Sequence, residues 1–143
     1  MDLTLDQALT IAQTALREAA ARKTAPLCVA VIDRGGHVLA LLRDERASIY
    51  RGEIATAKAA GCLGMGFGGR ELFRRAQAML QFFTALAPIF HKGIVPFPGG
   101  VLIRDADGEL IGAVGISGDT SDNDEQCACL GIEAVGLKAD TGA

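Results

Sequence analysis

The chain has no tryptophan and one tyrosine in 143 residues. Single-stranded nucleic acids are held largely by bases stacked on aromatic faces, so composition argues against that partner. Basic runs are also missing. None exceeds two residues, as in Arg74-Arg75, and the formal charge is −3. A nucleic-acid face needs clustered cations, and no nucleic-acid partner is expected. No apolar run approaches the roughly 18 residues that cross a bilayer, so no membrane partner is expected either. The N-terminus passes from Met1-Asp2 straight into an amphipathic pattern. It shows no basic stretch ahead of an apolar one, as a secretory signal would. The expected location is cytoplasmic.

The four cysteines, Cys28, Cys62, Cys127 and Cys129, include no Cys-x-x-Cys pair. Cys127 and Cys129 fall two apart in a helical pattern and point away from each other. Buried thiols are expected rather than a zinc site or a disulfide framework. The two histidines, His37 and His91, offer no His-x-His or His-x-x-x-His spacing. A catalytic zinc centre therefore lacks a ligand set. A Gly-x-Ser-x-Gly elbow is absent too, which removes the usual setting of a nucleophilic serine.

What is present reads as alternating helices and hairpins. Thr4 and Gln7 make a capping-box pattern ahead of a helix to about Arg22, with Leu5, Ala8, Ile11, Ala12, Ala15 and Ala19 as its apolar stripe. Leu27 to Ile32 reads as a buried strand. Asp33-Arg34-Gly35-Gly36 reads as a tight turn and His37 to Arg43 as the returning strand, so the pair must be antiparallel. A second helix is expected from Ser48, its cap, to about Leu63. A third runs from Arg70 to about Leu86, with a break near Met79. Val101 to Arg104 and Glu109 to Ile116 form a second hairpin. A final helix is expected from Ser121 to Leu137, with a frayed tail after Lys138. The order α-β-β-α-α-β-β-α implies an α+β fold with an antiparallel sheet of four to five strands, in one domain over residues 1–143.

Gly64-Met65-Gly66-Phe67-Gly68-Gly69 matches the dinucleotide-binding pattern G-x-G-x-x-G. That mechanism needs a strand before the glycines. Here Ile54 to Ala60 is alanine-rich and helical, so a helix-to-helix connection is expected.

Several side chains could carry chemistry. At about 100° per residue, Asp124 shares a stripe with Ala128, Gly131 and Val135 and points toward the sheet. It is read either as a capping acid paired with Ser121 or as a cleft carboxylate. Glu125 lies a quarter-turn away. His91 stands in the loop before Pro98-Gly99-Gly100, either exposed or turned into a site. His37 opens a strand. Lys58 interrupts an apolar helical segment, either snorkelling to solvent or reaching a cleft. Arg43 either joins a solvated loop or clamps an anion. Asp124, Glu125 and His91 are the candidate catalytic groups. Arg43, Lys58, Gly99, Gly100 and His37 are the candidate ligand contacts, and a hollow is expected between the start of the last helix and the diglycine bend.

The segments Leu3-Thr4-Leu5 to Ala8, Val29 to Asp33 with Gly35-Gly36-His37, Lys58-Ala59, Pro98-Gly99-Gly100-Val101, and Gly112-Ala113-Val114-Gly115-Ile116-Ser117-Gly118 with Asp124-Glu125 and Cys127-Ala128 resemble the GlcG/HbpS family (DUF336), called haem-degrading or haem-binding. The resemblance spans nearly the whole chain. It implies a profilin-like sandwich, a homo-oligomer, and haem or iron binding in some members. It also places this chain's His37, Lys58, Asp124 and Glu125 at family positions. Relatives often have Lys-Ala-x-Thr-Ala and Arg-x-Asp-Gly-Ala, where this chain has Lys58-Ala59-Ala60-Gly61-Cys62 and Arg43-Asp44-Glu45-Arg46-Ala47. These departures remove a hydroxyl and add an arginine.

Three functions are compatible with these features. The first is a small-molecule-binding protein with haem as a candidate ligand. The second is a cofactor-free acid/base enzyme (isomerase, tautomerase or lyase) on a small oxygenated metabolite of a catabolic pathway. The third is a structural subunit without ligand. The residues leave open whether the chain is an enzyme and whether it holds a metal.

Overall fold

The computed structural model describes residues 1–143. Thr4 accepts the amide of Gln7, and the Gln7 side chain accepts the amide of Thr4, so the expected capping box starts helix α1, Leu5–Arg22. The first hairpin follows as β1, Cys28–Asp33, and β2, Val38–Arg43. Helix α2 is Arg51–Met65, α3 is Gly69–Ala78 and α4 is Leu80–Leu86, with the anticipated break at Met79. The second hairpin is β3, Gly100–Arg104, and β4, Leu110–Ser117. Helix α5, Ser121–Ala134, and a short strand β5, Lys138–Asp140, complete the chain.

The five strands form one antiparallel sheet in the order β2-β1-β4-β3-β5. Helices α1 and α5 cover one face, where Ile11, Ala15, Val29, Val31, Val114, Ile116 and Ile132 are buried together. Helices α2, α3 and α4 cover the other, over Ile32, Leu102 and Ala113. Alternate strand residues face opposite sides, which explains how one short strand feeds both layers. The α+β sandwich and its element order match expectation.

Helix α2 lies unusually close to the sheet. A Cβ on Gly115 would sit 1.9 Å from the Ala55 carbonyl oxygen. The alanines of α2 and the bare backbone of β4 therefore bring Lys58 down to the sheet, which decides its environment.

Four local expectations are corrected. Helix α2 starts at Arg51, because the Ser48 carbonyl accepts the Arg51 amide in a preceding turn and Ser48 caps nothing. Helix α5 is capped by Thr120, whose hydroxyl accepts the Asn123 amide at 3.2 Å, so Ser121 and Asp124 form no capping box. It ends at Ala134, where Gly136 turns the chain with φ +76. The tail is not frayed: β5 pairs with β3, and Asp140 accepts from Arg104 at 2.8 Å. Without it β3 would be an open edge. Gly66 and Gly68 end α2 and start α3, so the G-x-G-x-x-G run is the expected connection.

Candidate functional site

The sequence-predicted side chains separate into a sealed cluster and an open groove. Lys58 turns inward and is 5 % exposed; Asp124 is 1 % exposed. The Lys58 Nζ donates to the Ile116 carbonyl at 2.9 Å and to Asp124 Oδ2 at 3.4 Å. Asp124 Oδ1 accepts the Asp119 amide at 3.2 Å. Gly99 closes the group. Its φ of +109 is a glycine conformation, and a Cβ there would lie 2.8 Å from Lys58 Nζ and 3.2 Å from Asp124 Cβ. Gly100 is packed as tightly, against Cys62 and the Lys58 carbonyl.

Burial pushes the Lys58 ammonium below its ordinary pKa, and Asp124 restores only part of it. Burial likewise pushes Asp124 up, against the pull of Lys58. Glu125 belongs to a neighbouring ion-pair network. Arg70 Nε and Nη2 each donate to its Oε1 at 3.0 Å, and Nη2 also reaches Asp122 at 2.7 Å. Arg70 thereby ties α3 to α5.

None of the chain's five cavities is lined by Lys58, Gly99, Gly100, Asp124 or Glu125. The expected hollow is corrected: the groups do meet, but packing fills the space between them. Arg43 takes the loop reading. Its Nη1 donates to the carbonyls of Asp44, Glu45 and Ala47 at 3.2, 3.2 and 2.8 Å, so it braces its own loop. Cys28, Cys62 and Cys127 are buried and Cys129 is half-buried. Burial pushes Cys62 up to about 12 and Cys129 up to about 11, which leaves neither as a thiolate at neutral pH.

His91 lies elsewhere, exposed in the loop after α4. It and Lys92 line two adjoining cavities of about 410 and 230 Å³. The larger is bounded by Arg34, Gly35 and Gly36 of the first hairpin turn and by Ala60, Leu63, Gly64 and Phe90. The smaller is bounded by Leu41, Gly52, Glu53 and Thr56. Gly52, Thr56, Ala60 and Gly64 recur every four residues, so one small-residue face of α2 forms the shared wall. At Gly64 a Cβ would stand 2.8 Å from the Phe90 ring.

His37 stands beside the groove. Its Nδ1 is 3.3 Å from Asp33 Oδ1, and its ring is 78 % exposed. The Asp33 carboxylate also accepts the amides of Gly35 and His37, which fixes the turn. Neither imidazole joins the Lys58–Asp124 pair.

Sequence reasoning missed three contributors to these regions. Arg51 Nη1 donates to the Ser117 hydroxyl at 2.9 Å beside the sealed cluster. Arg34 and Lys92 supply cations to the groove. The four-residue spacing of small side chains on α2 was the readable signal for its wall. A third cavity, about 440 Å³, is bounded by Phe73, Ala76, Gln77, Leu80, Pro96 and Phe97 and has no ionisable side chain. Nowhere do three or more His, Cys, Asp or Glu side chains gather as a metal-ion nest. No helix is long and apolar enough to cross a membrane.

The model of the family described as "Haem degrading protein HbpS-like" matches residues 3–133. Among solved structures, the chain is similar to PduOC in its heme complex, with 25% identity, TM-score 0.85 and 100% of each chain covered. It is similar to HbpS, with 27% identity, TM-score 0.81, and 95% of this chain and 92% of that chain covered. It is also similar to the Klebsiella pneumoniae protein ORFY of family DUF336, with 27% identity, TM-score 0.78, and 94% and 90% covered. A comparison with curated protein sequences gave no significant match.

Proposed function

The chain belongs to the HbpS-like family, and from that premise we propose that it is a small-molecule-binding protein whose ligand is haem, held in the groove beside α2. The observation that carries this reading is the convergence of an exposed imidazole, an apolar wall and cations on one open cavity. A haem pocket needs an axial donor and apolar surroundings. His91 supplies the nitrogen, and Leu63 and Phe90 supply the apolar surface. The apolar cavity at Phe73 and Phe97 has no comparable donor. The PduOC heme complex, whose fold this chain shares, supports haem as the ligand. Bound haem would supply an iron centre for electron or small-ligand chemistry; the protein's part is to ligate it and limit its contact with water.

Hemin titration tests the reading. A shifted Soret band is expected for the wild type and its loss for His91→Ala. An unchanged hemin spectrum with the wild-type protein would refute it.

The acid/base enzyme is the weaker alternative. Asp124 and Lys58 are sealed against each other, so a substrate would have to displace the packing around them before meeting either. Assembly into a homo-oligomer has its own support. Ala76 to Phe90 contains no charged residue and leaves Leu80, Phe82 and Ile89 exposed, a surface typical of subunit contacts. Light scattering coupled to size exclusion tests this; a monomer at all concentrations would reject it.

A further inference from the structure

The groove is electrically lopsided. Its larger compartment carries Arg34 and Lys92 and no carboxylate. Its smaller compartment shares Lys92 but sets Glu53 against it. Lys92 is exposed and enters none of the chain's ion pairs. Arg34 is held at one side only: its Nε meets Asp2 at 3.0 Å and its Nη2 donates to the Met1 carbonyl. That leaves guanidinium N–H groups of Arg34 for a further partner.

The same compartment presents apolar surface from Ala60, Leu63 and the Phe90 ring. A flat apolar body that carries carboxylates at one edge matches this layout. A purely apolar molecule would leave the cations without a partner, and a small anion would leave the apolar surface wet.

We infer that Arg34 and Lys92 form a carboxylate clamp that fixes the orientation of a flat, apolar, carboxylate-bearing ligand, with its acidic edge at the β1–β2 turn and away from Glu53. The inference rests on the groove being the ligand site, but not on iron ligation by His91. The guanidinium offers directed N–H donors to a carboxylate, while the lysine contributes a mobile point charge. In the smaller compartment Glu53 offsets Lys92 and repels a carboxylate, so the two compartments select one of two possible orientations.

The test uses metal-free protoporphyrin IX and its dimethyl ester, which share the ring but differ in charge, followed by fluorescence anisotropy. The wild type is expected to bind the free acid about tenfold or more tightly than the ester. Arg34→Ala/Lys92→Ala should abolish that preference by weakening the free acid far more than the ester. Circular dichroism confirms that these surface variants are folded. Added salt should weaken only the free acid. Equal binding of acid and ester by the wild type, equal losses for both in the double variant, or no porphyrin binding at all would each overturn the clamp. Hemin separates this result from the haem reading. A porphyrin preference without a Soret shift keeps the clamp and rejects axial ligation. A Soret shift without acid–ester discrimination does the reverse.

Discussion

The chain keeps two sets of charges near α2 and treats them oppositely. On the sheet side, Lys58 and Asp124 are almost fully buried and face each other. On the outer side, His91 and Lys92 are exposed around an open groove. The difference follows from what lies beside the helix. Inside, Gly99 and Gly115 let backbone close on the ammonium and on α2. Outside, Gly52, Thr56 and Ala60 are too small to fill the space before the next loop. Glycines that admit backbone seal a site, whereas small residues facing a loop open one. Charged residues alone do not distinguish a fold clamp from a binding surface.

The strongest way to break this comparison is to remove one member of the sealed pair. Lys58→Met or Asp124→Leu should destabilise the fold by about 3–5 kcal/mol, because each leaves a buried charge without its partner. The double variant Lys58→Met/Asp124→Leu should recover most of that loss, as buried ion pairs are often replaceable by apolar groups at little cost. Urea denaturation of the four proteins checks it; additive losses would show that the two side chains do not act as a pair.

Next is Gly99→Ala. It combines a disfavoured φ with a clash at Lys58 Nζ, and should cost about 1–3 kcal/mol. In contrast, His91→Ala in the groove should change stability by no more than about 0.5 kcal/mol. Thermal melts of the two variants compare the regions directly.

The smallest effect sharpens the boundary of the sealed cluster. Asp119 and Asp124 are joined by a hydrogen bond but titrate in opposite directions. Hydrogen bonds from the Asn123 side chain and the Ala25 and Thr120 amides hold Asp119 below its ordinary 3.8. Burial holds Asp124 above it. The lowered group contributes stability that is present above pH 3.8 and is lost as pH falls through its folded value. The raised group behaves in reverse: its contribution is complete below the ordinary value and is lost as pH rises through the folded one. Carboxyl carbon NMR should show Asp119 titrating first from the acid side and Asp124 later. The opposite order would contradict the assigned environments.

Much of the architecture was legible because each element carried its own period or punctuation. Thr4 and Gln7 announced α1, Gly35-Gly36 the first turn, and Met79 the break between α3 and α4. The inward stripe of α5 correctly turned Asp124 toward the sheet. The errors lay where tertiary contacts override local signals. Ser48 looked like a cap but was absorbed in a turn. Lys138–Asp140 looked like a loose tail because only the open edge of β3 makes it a strand. The site was half legible for the same reason: the start of the last helix and the diglycine bend were expected to meet, whereas Lys58 could reach either solvent or a cleft. Whether their meeting point was hollow depended on how closely α2 settled on β4, and that closeness is a property of Gly115 and Ala55 together. Likewise, Arg34 and Lys92 are far apart in sequence, and only the fold brings them to one cavity.

A hemin titration across three proteins tests the central claim most directly. The wild type and the Lys58→Met/Asp124→Leu variant should both develop a shifted Soret band, and His91→Ala should not. Persistence of the band in His91→Ala, or its loss only when the sealed pair is replaced, would place the ligand at the buried cluster and contradict the assignment to the groove.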